Sequence, residues 1–311
     1  MARWRDAHLA VEMRAHYAFP MREPEISVLI CTRNRADKLR LTLASIHAGR
    51  HPDAFEVIVV DNGSTDDTSA VALEFSAGLP LRLVAEPRPG LSRARNAALA
   101  AARGQLLLMT DDDCLVAPDW VEKGMSLLKA DPHRLVGGRV ELHDSRDLPL
   151  AIKTDVDRQQ LTHVGAVWGF LHGANMAFGR SVVDRIGGFD IRFGAGSALR
   201  SAEDTDFLYR AWRANIPVTY EPELLVHHDH GRRGQDVWLK EVAQHASGFG
   251  AMAMKHAMMG DRALFQALYW DMRSTLRRCR EHPSEWRRIR AKLSALSGLR
   301  EFWAVRKLPD T

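Results

Sequence analysis

The chain has 311 residues, which is long enough for one complete α/β core and a smaller additional region. Hydrophobic residues make up 46% and charged residues 26% of the chain, with a net charge of only +4, and this balance excludes a generally disordered protein. The sequence has no run of about 18 apolar residues, no signal peptide and only three widely spaced cysteines, so we expect a cytoplasmic protein without a disulfide framework.

The first third of the chain alternates between apolar strand segments and helical segments. Residues 25–31 predict a buried strand, and the polar loop that follows leads to a helix containing Leu39 and Ile46. The same order recurs at strand 55–60 with helix 67–77, at strand 81–84 with helix 91–102, and at strand 106–110. Such alternation predicts an α/β fold with a mostly parallel sheet and right-handed crossovers.

Polar residues follow three of these predicted strands. Thr32, Asp61 and the acidic run 111–113 each stand at the carboxyl end of a strand segment. The carboxyl ends of parallel strands lie along one edge of the sheet, where open α/β sheets bind ligands. These residues are therefore expected to converge on one site although they are far apart in sequence.

The acidic run consists of Asp111, Asp112 and Asp113. Three adjacent carboxylates repel one another, which indicates a cationic partner. Hard divalent cations take oxygen ligands, and Mg²⁺ is usually held by one or two carboxylates together with the phosphates of a substrate. A solvated acidic turn is the alternative interpretation, and the buried strand before the run favours a ligand site.

The second half of the chain is less regular. A helix is predicted over 121–128, a strand over 135–142, and no clear period is found over 143–165. Residues 172–178 resemble another strand, with a close backbone approach at Gly173. The remaining predicted elements are a helix at 181–186, a loop at 194–201, a helix from 202 to 213, a strand at 223–226 and helices from 236 onward.

Seven short motifs occur in an order and at spacings that resemble family 2 glycosyltransferases of the GT-A fold. The resemblance covers residues 25–231, which predicts an amino-terminal extension (1–24), a catalytic domain with a nucleotide-binding half (25–115) and an acceptor half (116–231), and a carboxyl-terminal helical basic extension (232–311). The motifs are SVLICTRNR (27–35), VVDNGSTD (59–66), ARN (94–96) with ARG (102–104), DDD (111–113), GGFD (187–190), EDTD (203–206) and HHDH (227–230).

The resemblance implies an inverting transfer of a sugar from a UDP- or dTDP-sugar to a hydroxyl of a carbohydrate, lipid-linked or small-molecule acceptor. It also implies a divalent cofactor, Mn²⁺ or Mg²⁺, that bridges the two phosphates of the donor. Two other readings stay open: a non-catalytic sugar-nucleotide binding protein of the same fold, and a sugar-1-phosphate nucleotidyltransferase. The second is disfavoured because no glycine-rich loop follows the first strand.

By the resemblance, Thr32 and Arg33 border the nucleotide, and Asp61 accepts a hydrogen bond from the base. A carboxylate acceptor suits the N3–H of uracil or thymine. The alternative for Asp61 is that it only caps the following helix. Arg93 and Arg95 face the same edge of the sheet and could neutralise the diphosphate, although exposed arginines on a helix are common.

The resemblance also assigns the metal ligands. The family pattern of two aspartates separated by one residue fits Asp111 and Asp113, with Asp113 as a metal ligand, Asp111 as a second metal ligand or a ribose contact, and Asp112 as the other candidate to hold the ribose. A third ligand is often supplied near the histidine cluster, where His228 fits best and His230 comes next. A structural zinc site is disfavoured because no cysteine spacing supports one.

Asp204 occupies the position of the general base in the family. An inverting transfer needs a carboxylate on the face opposite the leaving group to take the proton of the acceptor hydroxyl. The neighbouring Glu203 discourages joint ionisation, which raises one of the two pKa values. The family forms its sugar and acceptor pocket from a region that here contains Trp168, His172, Gly173 and Asn175.

The carboxyl-terminal region is basic, with eleven Lys or Arg against four Asp or Glu over residues 271–307. A basic helical tail can lie on the inner face of an anionic membrane as a peripheral contact. A solvated helical face, or a face that forms a homo-oligomer, is the alternative. We expect no nucleic acid partner.

Overall fold

The computed structural model describes residues 11–13, 23–281, 289 and 291–308. Most of the predicted extension 1–24 therefore lies outside the described residues, as do parts of the predicted carboxyl-terminal helices. The α-helices of the described residues are α1 (Ala36–His47), α2 (Thr68–Glu74), α3 (Leu91–Ala101), α4 (Trp120–Ala130), α5 (Arg180–Ile186), α6 (Glu203–Arg213), α7 (Gln235–Met258), α8 (Ala263–Glu281) and α9 (Ser294–Val305).

One sheet of ten strands forms the centre of the fold, in the order β1-β4-β3-β2-β5-β9-β7-β10-β6, with β8 paired to β10. The longer pairings, within β4-β3-β2-β5 and between β7 and β10, are parallel, and the others are antiparallel. The strands are β1 (Val11–Met13), β2 (Ile26–Thr32), β3 (Phe55–Asp61), β4 (Leu81–Ala85), β5 (Leu106–Asp111), β6 (Cys114–Val116), β7 (Leu135–Leu142), β8 (Gln159–Gln160), β9 (Asn175–Gly179) and β10 (Val218–His228).

Helices cover both faces of the sheet, which explains the continuous apolar runs of its central strands. Every residue of β2 is buried, as expected of a strand with a helical layer on each side. On α1 the buried positions Leu39, Leu43 and Ile46 recur at helical spacing and pack in one core cluster with β2 and β3. On the other face, α3 uses Ala94 and Ala98 to approach the sheet closely.

The predicted α/β fold is confirmed, and the structure corrects the boundaries of two strands. The predicted strand at 172–178 begins only at Asn175, and the residues before it form turns. The predicted strand at 223–226 belongs to the longer β10, which runs from Val218 to His228. The short strands β1, β6 and β8 were not predicted, because two or three residues carry too little periodicity to indicate a strand.

The helix α7 is attached to α6 by buried ion pairs. Asp206 lies in the first turn of α6, is fully buried and accepts hydrogen bonds from Lys255 at 2.8 Å and from His256 at 2.9 Å. Lys255 also lies 2.8 Å from Asp190. Moving the two helices apart would leave buried charges without their partners, which is energetically costly. The ion pairs therefore hold α6 and α7 in one relative position.

The carboxyl-terminal helices share a core cluster with the sheet-covering helices. Phe249 and Met252 of α7 and Phe302 of α9 belong to the same cluster as Phe193 and Phe207. None of the helices among the described residues combines the length and the apolarity that crossing a bilayer requires.

Candidate active site

A cleft of about 650 Å³ lies at the carboxyl ends of β2 and β5. The loop after β2, the acidic run after β5, the start of α6 and one side of α7 form its walls. Residues that are distant in sequence, including Thr32, Asp113, Asp204 and His228, line this one cleft. Thr32 and the acidic run therefore converge as the strand order predicts, whereas Asp61 is not among the residues that line this cleft.

Asp204 is the second residue of α6 and is half-buried at the cleft wall. One carboxylate oxygen, Oδ2, accepts the backbone N–H of Gly173 at 2.9 Å, and Oδ1 accepts that of Thr205 at 2.6 Å. Burial raises the pKa of the Asp204 carboxyl, but Arg95 and these N–H donors outweigh burial and hold the pKa below its ordinary value. Asp204 is therefore ionised at neutral pH and can accept a proton.

Glu203, the first residue of α6, behaves in the opposite way. Burial and the adjacent charge of Asp204 raise the pKa of Glu203 to about 7, although Arg95 acts to lower it. Two neighbouring carboxyl groups whose pKa values are moved apart form the pattern that acid–base chemistry uses. Of this pair, Asp204 is the stronger candidate for a base because its carboxylate is the form favoured by its surroundings.

Arg95 connects the acidic run to the acids of α6. Its side chain is only 2% exposed, with one guanidinium nitrogen 3.0 Å from Glu203 and another 3.2 Å from Asp111. Gly173 makes room for this group, because a Cβ at Gly173 would lie 2.5 Å from the guanidinium. Arg95 thus serves as the counter-ion of the carboxylate cluster, and because it also lines the cleft, its predicted contact with the diphosphate stays a prediction.

The backbone before α6 is held in an unusual conformation. Ala202, at the helix N-cap, has φ of 73°, in the left-handed region that residues with a Cβ rarely adopt. Such a conformation persists only where surrounding contacts impose it, and it often marks a functional site. Here it directs Glu203 and Asp204 into the cleft.

A second cluster surrounds Asp113. Arg35 donates to Asp112 at 2.7 Å and to Asp113 at 2.8 Å, so this arginine supplies the cationic partner expected for the acidic run. Burial acts to raise the pKa of Asp113, but His228 and Arg35 hold the pKa well below its ordinary value. Burial raises the pKa of Asp112 to about 6, because Arg35 offsets burial only in part.

The other oxygen of Asp113 faces His228, whose Nε2 lies 3.3 Å from Asp113 Oδ1. This is close to the separation of adjacent ligands around an octahedral ion with bonds of about 2.1 Å, roughly 3 Å. His228 Nδ1 is buried and has no hydrogen-bond partner within the described part of the chain. Cys114 is the third potential donor, but burial raises its pKa, so the thiol stays protonated. The oxygen and nitrogen donors fit a divalent cation.

Comparison with known proteins agrees with this architecture. Residues 27–187 match the family described as glycosyl transferase family 2. The chain belongs to this family. It is therefore a glycosyltransferase, and the matched segment runs from β2, through the acidic run, to the end of α5.

Relatives of this glycosyltransferase are distant. Glycosyltransferase AglE of Haloferax volcanii is 27% identical over 206 residues, which cover 65% of this chain and 66% of AglE. Chondroitin synthase of Escherichia coli is 27% identical over 226 residues, covering 60% of this chain and 32% of the synthase. Pre-mycofactocin glycosyltransferase of Mycobacterium tuberculosis is 26% identical over 242 residues, covering 75% and 48%. These three matches span less than two thirds of the relative's own length.

Solved structures with the same fold include glycosyltransferases that bind nucleotide sugars. The mannosyltransferase PcManGT from Pyrobaculum calidifontis, in complex with GDP-Man and Mn²⁺, aligns with a TM-score of 0.61 at 21% identity and covers 96% of this chain and 80% of its own. S. aureus TarS 1–349 aligns with a TM-score of 0.57 at 16% identity, covering 91% and 90%. At these identities the likeness establishes the GT-A fold alone.

Of the residues predicted to bind the nucleotide, some line the cleft and others do not. Thr32 is buried and Arg33 is exposed, and both line the cleft. Asp61 accepts the backbone N–H of Ser64 at 2.8 Å, before the helix begins, and bonds the hydroxyl of Ser69, whereas the N-cap residue of α2 is Asp67. Arg93 is half-buried on α3, and its side-chain carbons lie beside the loop that precedes the helix.

Asn175 is a correction to the predicted substrate pocket. It is fully buried, and its Oδ1 accepts the indole N–H of Trp120 at 2.9 Å. Its Nδ2 donates to the carbonyls of Arg139 at 2.9 Å and Leu224 at 2.7 Å. Every hydrogen of its amide group is used to join strands, so Asn175 supports the sheet and offers nothing to a substrate.

His230 is also engaged elsewhere. Its Nδ1 accepts the backbone N–H of Arg232 at 2.9 Å, and its Nε2 donates to the carbonyl of Leu148 at 3.1 Å. Both ring nitrogens are thereby occupied, which leaves no lone pair for a metal ion. Of the two predicted histidines, only His228 contacts Asp113.

The other predicted pocket residues lie at the cleft. Trp168 is 37% exposed, and its ring packs against Phe249 of α7 with centroids 4.7 Å apart. Burial lowers the pKa of His172, whose Nε2 lies 3.2 Å from the carbonyl of Ile152, so this imidazole is neutral. The wall formed by α7 was not predicted, because an amphipathic helix gives no local signal of what it covers.

Proposed function

We propose that the protein is an inverting glycosyltransferase that moves a sugar from a UDP- or dTDP-sugar to a hydroxyl of its acceptor. One observation carries this proposal: Asp204, an ionised carboxylate, and the pair Asp113 and His228 line the same cleft of about 650 Å³. Residues 25–231 are the proposed catalytic domain, and the extension 232–311 supplies one wall of its cleft.

Asp204 is the proposed general base. As the acceptor oxygen forms its bond to the anomeric carbon, its hydroxyl proton passes to a carboxylate oxygen of Asp204, and the bond from the anomeric carbon to the diphosphate breaks. Gly173 and Thr205 fix the orientation of the carboxylate by their N–H groups. Arg95 keeps it ionised and holds Glu203 beside it.

Asp113 and His228 are the proposed protein ligands of Mn²⁺ or Mg²⁺. When bound, such an ion stabilises the negative charge that develops on the leaving nucleoside diphosphate. Arg35 holds Asp113 in place through the oxygen that does not face His228. Asp111 is the better candidate to hold the ribose, because it lies at the cleft with a side chain 31% exposed, whereas Asp112 is buried against Arg35.

A nucleoside-diphosphate sugar as the donor is supported by the structural neighbours, which include one complex with GDP-Man and Mn²⁺ and one with UDP-GlcNAc. We propose uracil or thymine as the base because Asp61 has carboxylate oxygens that can accept its N3–H. Its two present partners leave acceptor capacity, since an ionised carboxylate has about four acceptor sites.

Nucleotide binding tests this proposal directly. UDP or dTDP with Mn²⁺ is expected to raise the melting temperature. At a ligand concentration 100-fold above Kd, the free energy of unfolding should increase by about 2.7 kcal/mol. GDP and CDP are expected to have little effect. The variant Asp113→Asn should lose the part of this stabilisation that depends on Mn²⁺. The variant Asp53→Asn, at an exposed position, should keep it. Stabilisation by no nucleotide would contradict the proposed donor site.

We further propose that α8 makes a peripheral membrane contact. Its outer side chains combine aromatic and basic residues, the composition of helices that lie at a lipid interface. Tyr269 is 57% and Trp270 is 53% exposed, unusual for aromatic side chains in contact with water alone. The exposed side chains of α8 include Phe265, Gln266, Tyr269, Trp270, Arg273, Leu276 and Arg277.

Vesicle co-sedimentation tests the membrane contact. Phosphatidylcholine vesicles are expected to bind the protein only when they contain phosphatidylglycerol. Removing both Arg273 and Arg277 by substitution with Ala should weaken binding by roughly 2 kcal/mol, at about 1 kcal/mol for each arginine. Leu41→Ser, at a position 45% exposed on α1, is the control that should bind as the wild type does. Equal binding by the double variant would refute the contact.

A further inference from the structure

A second cavity, of about 300 Å³, lies between Trp168 and the carboxyl-terminal helices. Its walls come from the carboxyl-terminal helices and from two loops, one on each side of β8, which contribute Leu150 and Trp168; only these two residues lie inside the segment that matches the family. We call it the inner cavity. Its apolar lining consists of Leu150, Trp168, Val242, Ala246, Phe249, Leu268, Met272 and Ala295.

The inner cavity adjoins the active-site cleft. Trp168 stands at the boundary, with one side in the cleft and its ring packed on Phe249 of the inner cavity. A molecule that enters the cleft can therefore place one part beside Asp204 and another part past Trp168. Five residues line both spaces: Leu150, Trp168, Glu241, Val242 and His245.

The charged groups of the inner cavity are compensated by one another. Asp271 and Lys292 form an ion pair at 2.6 Å. Glu241 lies 3.7 Å from His245 and 3.6 Å from Arg232. Each charged group in the described lining thus has an oppositely charged neighbour and needs no charged ligand. Displacement of water from the apolar side chains by an apolar group is favourable.

We propose that the inner cavity binds the apolar aglycone of the acceptor, an alkyl chain or an aryl ring, while the acceptor hydroxyl is presented to Asp204. This inference rests on the proposed function, because it assigns one end of the acceptor in the same cleft. It narrows the acceptor to an amphipathic molecule with one sugar or polyol end and one apolar end. A purely polar oligosaccharide would leave the inner cavity without a matching group.

Alkyl glucosides are suitable probes. Methyl, hexyl and octyl β-D-glucopyranoside, each below its micellar concentration, are titrated calorimetrically into the full-length protein. We expect the affinity to rise by roughly fourfold for each added methylene until the inner cavity is filled, the factor that corresponds to burying one CH₂ group.

Two variants that fill the inner cavity from different helices make the test specific. Ala246→Phe on α7 and Met272→Trp on α8 should reduce the affinity for the octyl glucoside to that for the methyl glucoside. Met259→Trp, at a position 72% exposed in the turn after α7, is the control that should keep the chain-length dependence. The melting temperature shows whether each variant is folded. One folded variant with a filled cavity is sufficient for the test.

The result separates this inference from the proposed function. An affinity independent of chain length, or a dependence that persists in a folded filled variant, would overturn the inner cavity as the aglycone site. The same proteins are titrated with UDP and Mn²⁺, whose binding the filled variants should keep. Absence of UDP binding in the wild type would instead count against the donor site, whatever the alkyl glucosides do.

Discussion

Replacing Asp204 with Asn is expected to reduce kcat by about 10²–10⁴-fold, the usual contribution of a positioned general base. The amide cannot take the proton of the acceptor hydroxyl, yet it has nearly the same shape as the carboxylate. Its oxygen can still accept the N–H of Gly173, now 2.9 Å from Oδ2. The measurement is the rate of UDP or dTDP release at saturating donor.

Two comparisons make this result interpretable. Binding of the nucleoside diphosphate should be unchanged in Asp204→Asn, because the nucleotide is assigned to the edge formed by β2 and β5. Asp53→Asn removes an exposed carboxylate and should keep full turnover. If Asp204→Asn turns over at the wild-type rate, Asp204 is not the base.

Replacing Arg95 with Met is expected to lower both stability and activity. Arg95 is 2% exposed and contacts Glu203 and Asp111, so its removal leaves the buried Glu203 and the partly exposed Asp111 without their counter-ion. Breaking a buried pair in this way costs about 3–5 kcal/mol. The free energy of unfolding, measured by urea denaturation, should fall by this amount relative to the wild type, while Arg262→Met at an exposed position should change little.

The pH dependence distinguishes a role in the site from a purely structural one. Arg95 lowers the pKa of Asp204, so the variant should lose activity at a higher pH on the acidic side of its profile. An aspartate whose pKa is lowered on folding contributes stability at neutral pH that disappears as the pH falls. The stability difference between the wild type and Arg95→Met should therefore shrink on acidification. An unshifted activity profile would mean that Arg95 acts only on the fold.

The local elements were largely predictable because they depend on short stretches of the chain. The buried runs of β2, β3 and β5 have no polar interruption, which is the pattern of central parallel strands. The apolar spacing of α1 and the alanine-rich α3 gave clear helical signals. The placement of Asp113 and Asp204 at one cleft followed from strand order and from the resemblance to the family.

The partners of the site residues were not predictable in the same way. Arg95 was expected to face a diphosphate, and the motif gave no sign that it also lies between Glu203 and Asp111 as their counter-ion. Asn175 was expected in the pocket, but the carbonyls and the indole around it use its amide. Such assignments depend on which elements come together, and a short motif does not contain that information.

The histidine cluster shows most clearly which features the sequence predicts and which depend on tertiary contacts. The motifs along the chain were enough to indicate a glycosyltransferase of the GT-A fold, an acidic run at the end of β5 and histidines after an apolar strand. They could not indicate which histidine contacts the acids. In the folded protein β10 pairs antiparallel with the unpredicted β6, so that His228 lies opposite Cys114 and next to Asp113, while the Nε2 of His230 donates to the carbonyl of Leu148. The physical reason is that strand and helix periodicity arise from neighbours in the chain, whereas strand register and charge compensation are set by contacts between distant segments.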